Sequence, residues 1–374
     1  MTQEFHPQVH FSSLNGRGEA DLDRPVREVV ASLGGLREIV RPGNRVLLKP
    51  DISNPACAVA RTSPELVASV GRMVQECGGE VLIGDSPILP TVPVESLWRA
   101  SGMWEVAEQY GFELVRLEQV GSEPVAVDTR VYYVSKTVVD ADVIINLPRF
   151  RRDRWTGFAG AIGNMYGVVP GFQKGRLFAV DFSASEISRL LVDIYSLATP
   201  ALSIVDGSYV DDPAGGGLSG FVGGAYDGVA LDTVLASIMG FEPDNIATVM
   251  FASDAGLGIG RLEGIKVSGD SVRAEELTLT ATGSRGLADY LPSFFLNIAA
   301  PFVSVTASVE GSNCDRCGLC AEVCPTNAVQ LEEGKRLPNF RKPLCINCWC
   351  CHANCPSQAI RLTPSFLAGT FFQF

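Results

Sequence analysis

Eight of the eleven cysteines stand in a spacing that few kinds of chemistry require. Cys314, Cys317, Cys320 and Cys324, followed by Pro325, spell C-x2-C-x2-C-x3-C-P. Thirty-one residues later Cys345, Cys348, Cys351 and Cys355, followed by Pro356, spell it again. Thiolates are soft ligands suited to iron and sulfide. Three of them two residues apart wrap one face of a cubane, and a fourth just before proline points away to a neighbouring cluster. Zinc also takes paired C-x2-C, but it gathers four ligands locally and has no use for the third step repeated twice. The pattern therefore predicts two [4Fe–4S] clusters. Disulfides belong to small secreted domains, which this chain does not resemble.

The repeat extends past the ligands, since Ala328 matches Ala359 and Leu331 matches Leu362 at the same offset. Such an internal duplication is the signature of the two-cluster bacterial ferredoxin fold. Crossing of the fourth ligand predicts one cluster on Cys314, Cys317, Cys320 and Cys355, and the other on Cys345, Cys348, Cys351 and Cys324. Cys350 and His352 read as neighbours of the second cluster. Clusters can be purely structural, but two side by side make a relay, which favours electron transfer.

The 374 residues carry a net charge of −12 and are 46% apolar, enough for a substantial core. The acidity argues against nucleic acid as a partner, because phosphate backbones demand cationic surfaces. Residues 309–364 hold five acids and six bases, a balance of +1, leaving −13 for the remainder. A cluster domain with basic patches suits an acidic electron donor; a merely solvated mixed surface is the alternative. The N-terminus lacks a signal-peptide pattern. The most apolar stretch, 287–309, is broken by Asp289, Pro292, Asn297 and Pro301, and reads as buried irregular structure or short strand. A cytoplasmic protein without a membrane span is expected, and assembly into a homo-oligomer is compatible with it.

Positioning the rest falls to the first three hundred residues. Residues 45–49 read as a buried strand; Ser63 caps a helix with Pro64 at its first position, stopped by Gly78 and Gly79; residues 80–84 form the next strand. Strand, helix and strand within some forty residues make a βαβ unit and so a parallel sheet. Helices near 93–110, 184–198 and 230–239, a glycine-rich loop and helix at 157–171, and strands at 112–117, 131–134, 143–147 and 202–205 continue the pattern. The expected fold is α/β, a mostly parallel, Rossmann-like body over residues 1–308. An α+β ferredoxin-type domain follows at 309–364, with an apolar tail at 365–374.

Ligands of open α/β sheets bind outside the carboxyl ends of the strands. Lys49 and Asp51, Asp85 and Ser86, Asn146 and Arg149, and Asp206 all fall at such ends, although each alone also reads as a turn or cap residue. Arg149, Arg151, Arg152 and Arg154 precede the glycine-rich segment ending at Asn164. Arginines beside a close backbone approach suit a carboxylate or phosphate, and equally a solvated charge run. No phosphate-binding glycine motif follows a strand. Histidine is confined to His6, His10 and His352, so acid–base work in the body would fall to Lys, Asp, Tyr or Cys. Cys57 reads as an inert loop thiol, and Asp211-Asp212-Pro213 before Gly215–Gly217 as a turn or a lid.

An ordered series covers most of residues 45–260: Val46-Leu-Leu-Lys-Pro-Asp51, Gly84-Asp-Ser-Pro87, Asp142-Val-Ile-Ile-Asn-Leu-Pro148, Thr156 to Asn164, Gly167-Val-Val-Pro-Gly171, Val205-Asp-Gly207, and Ala230-Leu-Asp232 before Met239-Gly240. By this series the chain resembles domain of unknown function family 362, whose members often end in a ferredoxin domain. Where the family usually resembles Lys-x-Lys-x-His, this chain reads Arg149-Phe-Arg151-Arg152-Asp153, keeping charge without the histidine. Gly163 stands where a lysine usually precedes Asn164. The family name implies no reaction, so function rests on the site. Two readings follow. In the first, an iron–sulfur reductase takes electrons from a ferredoxin or other donor. It passes them to a small anionic substrate, or to a further cofactor in the α/β cleft. Lys49, Asp85 and Asp206 are then the catalytic candidates, and Arg149, Arg151 and Asn164 the substrate-binding ones. In the second, the chain is a non-enzymatic, cluster-bearing subunit that docks a larger redox complex.

Overall fold

A computed structural model describes residues 6–14, 22–52, 61–86, 94–153, 156–171, 173, 183–208, 220–272, 305–331 and 336–365. Among them an eight-stranded sheet forms the centre, in the spatial order 266–269, 8–13, 221–225, 202–206, 143–147, 45–50, 80–85, 113–116. Only Phe221–Ala225 runs against the other seven. The strands alternate in the direction their side chains face. Val46 and Leu48 pack with Val29, Val67, Val70 and Met103 on one face. Leu47 and Ile144 pack with Ile162, Ile187, Leu191 and Ile194 on the other. A sheet apolar on both faces must be covered by helices on both, which is the doubly wound solution.

The order of the chain creates one reversal. From Arg45–Pro50 it steps outward through Glu80–Asp85 and Glu113–Arg116, then returns to lay Val143–Leu147 on the opposite side of Arg45–Pro50. Open α/β sheets bind their ligands outside the carboxyl ends of the strands at such a reversal. There Lys49 lies in register with Asn146.

Several expectations shift in detail. The residues at 131–134 lie in a strand, Arg130–Ser135, but it pairs with Ser122–Val127 as a hairpin outside the central sheet. The stretch 157–171 is mostly not helix: Gly157–Ala159 is a short strand, Ala161–Asn164 a single turn, and Met165–Val168 a 3-10 turn. Five glycines there lower helix propensity, and the segment forms a short strand and single turns instead. Ser63 stands at the cap of Pro64–Glu76, yet its hydroxyl makes no cap bond; its N–H donates to Asp206 at 2.7 Å. Cys57, Arg154, the acidic loop at 211–217, residues 287–304 and most of the apolar tail lie outside the described residues.

The cysteine-rich part is framed by Val305–Val309 paired antiparallel with Ile360–Pro364, and by a second small pairing of Val329–Gln330 with Asn339–Phe340. The framing strand thus begins ahead of residue 309. Among the described residues no helix is long and apolar enough to cross a membrane. Ile145, fully buried in a central strand, should cost about 2–5 kcal/mol when truncated to alanine, whereas Val131→Ala, on an exposed hairpin position, should stay within about 0.5 kcal/mol. Denaturant unfolding of the two variants checks this contrast.

Candidate functional site

At the reversal a lysine is held out of water. The Lys49 side chain is 1% exposed and its ammonium pairs with Asp85 Oδ1 at 2.8 Å. It also donates to the Pro50 carbonyl at 2.8 Å and to Asn164 Oδ1 at 3.1 Å. Asn164 in turn donates to the Lys49 carbonyl at 3.0 Å and to Asn146 Oδ1 at 2.8 Å, and Asn146 donates to the Ala161 carbonyl at 2.9 Å. Asp85 accepts the Ile52 N–H at 3.1 Å. A side chain at Gly167 would run into Asp85 Oδ1 and the end of Lys49, so this position must stay bare for the pair to form.

The turn that carries Asn164 is anchored from behind. Asp232 accepts the N–H groups of Ala161 at 2.6 Å and Ile162 at 2.9 Å. Burial pushes the Asp232 carboxyl up to about 7, against the lowering pull of those two N–H groups. Asp232 was present in the sequence only as part of the Ala230-Leu-Asp232 motif. No spacing rule connects it to residue 161, and its role becomes visible only in the fold.

Arg149 and Asp206 form a second buried pair at 2.8 Å, both side chains fully enclosed. Arg149 also donates to Ser208 Oγ, and Asp206 accepts from Ser208 and from the Ser63 N–H. Burial alone would raise the Asp206 carboxyl, but Arg149 and these hydrogen bonds outweigh it and hold it below the usual carboxylate range. This pair is a strut across strand ends, and a carboxylate so held has little tendency to take up a proton. Arg149 is therefore not part of a solvated charge run. Arg151 is partly exposed and pairs with Asp51 at 3.4 Å. Of the residues singled out by position, the fold joins Lys49, Asp85, Asn146 and Asn164 into one network. It sets Arg149 and Asp206 into a second, and places Arg151 with Asp51.

Both cysteine loops close around small cavities. One, of about 330 Å³, is lined by Cys314, Cys317 and Cys320 with Cys355 from the other loop. The other, of about 380 Å³, is lined by Cys345, Cys348 and Cys351 with Cys324. The Ala328 N–H points at Cys324 Sγ at 3.2 Å, and its repeat counterpart, the Ala359 N–H, at Cys355 Sγ at 3.2 Å. Burial and then the nearby Cys348, Cys345 and Cys324 thiols push the Cys351 thiol well up. Crowded thiols of this kind give up their protons together only to a cation that takes their place. The donor set fits iron–sulfur ligation. Cys350 does not line either cavity; it lies fully buried 4.0 Å from Ser122 Oγ. His352 is engaged through Nδ1 with the Ile360 carbonyl at 2.7 Å.

The two sites touch. Ser86, next to Asp85, accepts the Gly171 N–H at 2.9 Å and donates to Glu118, whose carbonyl accepts from Asn354 at 3.4 Å. Gly171 lies against the backbone of Asn347 and Cys348.

Comparison with known proteins accords with both halves. Residues 46–237 match the family described as "Domain of unknown function (DUF362)". The chain belongs to this family. Residues 308–330 match the 4Fe-4S binding domain, so this DUF362 protein binds an iron–sulfur cluster. "Thylakoid-associated protein sll1697" of Synechocystis sp. is 32% identical over 251 residues, covering 62% of this chain and 74% of that protein. Among solved structures, the lactate racemase apoprotein from Thermoanaerobacterium thermosaccharolyticum gives a TM-score of 0.41 at 12% identity, over 61% of this chain and 56% of that one. A Thermotoga maritima protein gives 0.35 at 13%, over 63% and 60%. The chain spans less than two thirds of either structure, and at these scores they establish nothing further about it.

Replacing Asp206 by Asn should cost about 3–5 kcal/mol, because it leaves the Arg149 charge buried without a counter-charge. The wild-type contribution of Asp206 is complete above about pH 4, where unfolded carboxylates are ionised, and is lost as pH falls through its depressed native value. Urea titrations of both proteins between pH 7 and pH 3 should show the stability difference shrinking on the acid side.

Proposed function

We propose that this DUF362 protein is an iron–sulfur oxidoreductase that moves electrons between a ferredoxin-like carrier and a small anionic substrate or cofactor at the crevice beside Lys49. The observation that carries this reading is the contact of Gly171 with the second cysteine loop, together with the hydrogen bond from the Gly171 N–H to Ser86, the residue next to Asp85 of the Lys49–Asp85 pair. Cys314, Cys317, Cys320 and Cys355 would hold one [4Fe–4S] cluster, and Cys345, Cys348, Cys351 and Cys324 the other. When bound, the clusters supply single electrons in succession, each drawn from the carrier. Residues from Val305 to Pro364 then handle electrons, and the sheet body ahead of them binds substrate.

The residues of the crevice have distinct tasks in this reading. Lys49 Nζ attracts the anion and hands it a single proton per turnover, regained from solvent when product leaves, and Asp85 Oδ1 holds the ammonium in place. Asn164 orients Lys49. Arg151 adds positive charge near the opening, and the Arg149–Asp206 strut keeps the strand ends in register. A cytosolic location belongs to the same proposal, since reducing surroundings keep cluster thiolates available.

One observation favours the second reading, a non-enzymatic electron-transfer subunit of a larger complex. Lys49 is enclosed, paired with Asp85 and donating to the Pro50 carbonyl and Asn164 within the protein. The two readings part in one experiment. Anaerobically reconstituted protein is given dithionite or reduced ferredoxin and a panel of small carboxylate and phosphate substrates. An oxidoreductase should lose turnover by about 10²-fold or more in both Lys49→Met and Cys345→Ser. Turnover in Cys345→Ser at the wild-type rate would sink the proposal. A Lys49→Met variant that still passes electrons to an acceptor protein at the wild-type rate would favour the subunit.

A further inference from the structure

The two cysteine loops are copies of one another in backbone and opposites in surroundings. Left-handed residues recur at the repeat offset: Arg316 and Asn347 at φ 61° and 58°, Gly318 and Trp349 at 86° and 60°, Asn327 and Gln358 at 53° and 50°. Burial does not recur. In the first loop Asp315, Arg316 and Cys317 are exposed, and Leu319 is 38% exposed. In the second, Asn347, Cys348 and Trp349 are buried, and Cys350, the counterpart of Leu319, is wholly enclosed.

Contacts with the body account for the difference. A side chain at Gly171 would lie 2.5 Å from the carbonyl of Cys348 and 2.6 Å from that of Asn347, and the residue itself sits at φ +68°. Glycine there satisfies both the backbone conformation and the close approach. Around this contact Ser86 receives the Gly171 N–H, Asn354 reaches the Glu118 carbonyl, and Cys350 lies by Ser122. Of these body residues, Ser86 is the chain neighbour of Asp85, and Gly171 and Glu118 are hydrogen-bonded to Ser86.

We propose that Gly171 is a positioning residue that seats the second cysteine loop on the α/β body, making the second site an inward one of lower reduction potential and the first an outward port of higher potential. This rests on the reading that the eight cysteines hold two cubanes. A four-thiolate cubane gains negative charge on reduction. Low-dielectric surroundings oppose that gain, and so does a body whose formal charge is −13. Both effects act on the seated loop more than on the exposed one.

The test is an EPR-monitored reductive titration of the full reconstituted chain, with dithionite supplying one electron to each cluster and no bond made or broken. Hydrogen exchange over residues 345–351 is read alongside. Wild-type protein should show two resolved steps. Gly171→Ala should merge them and raise exchange in that loop about tenfold, with iron and acid-labile sulfide contents unchanged. Because alanine at this φ is itself strained, Cys350→Leu provides a second disturbance of the seat, putting the residue of the exposed copy against Ser122, and should act in the same direction. Leu319→Ala, on the exposed loop, should leave the separation as it is. Coincident steps in the wild type would overturn the proposal. So would a wild-type separation retained in Cys350→Leu and in any folded Gly171→Ala protein. Absence of acid-labile sulfide from the wild type would instead defeat the cluster assignment beneath it.

Discussion

Four charged groups lie out of water at the carboxyl ends of the central strands, and none could remain there alone. Removing an ammonium, guanidinium or carboxylate from solvent costs several kcal/mol even after relaxation, so Lys49 depends on Asp85 and Arg149 on Asp206. Much of the surrounding structure meets that requirement. Asn164 and the Pro50 carbonyl complete the shell of the ammonium, Ser208 and the Ser63 N–H complete that of Asp206, and Gly167 leaves the space that the first pair occupies. Apolar residues of similar volume would hold the strands together as well or better. The two buried ion pairs lie at the sheet's reversal, where α/β folds place their ligands.

The cysteine-rich part joins the body through a different principle, the close approach of backbone to backbone. Ser86 is the hinge between the two arrangements, since its neighbour Asp85 pairs with Lys49 while its own hydroxyl binds Gly171. A dipeptide thus belongs at once to the polar network and to the seam with the cysteine loops.

The cysteine spacing disclosed its cavities without help from the fold, because ligand geometry acts over a few residues and leaves its period in the chain. The crossing of Cys324 and Cys355 was legible for the same reason. Parallel strands were legible as apolar runs, and the reversal's polar residues as strand ends. What the residues could not disclose is which ends meet. Arg149 belongs with Asp206, fifty-seven residues on, and Asp232 with the N–H of Ala161, seventy-one residues back. Such pairings arise from strand order, which no local pattern encodes. The glycine-rich segment, expected to be a loop and helix, forms a short strand and single turns, because its glycines leave the backbone free of a helix.

Trp349 occupies a left-handed position that its repeat counterpart gives to Gly318, and it helps wall the second cavity. A bulky residue in that conformation is strained, and the strain persists only where surroundings over-determine it. The second half of the duplication thus answers to two masters, the cavity it encloses and the body it lies upon, while the first answers to one. Halves that began alike are consequently free to drift by unequal amounts. Divergence should gather in the outer copy, and the symmetry of their origin should fade from that side.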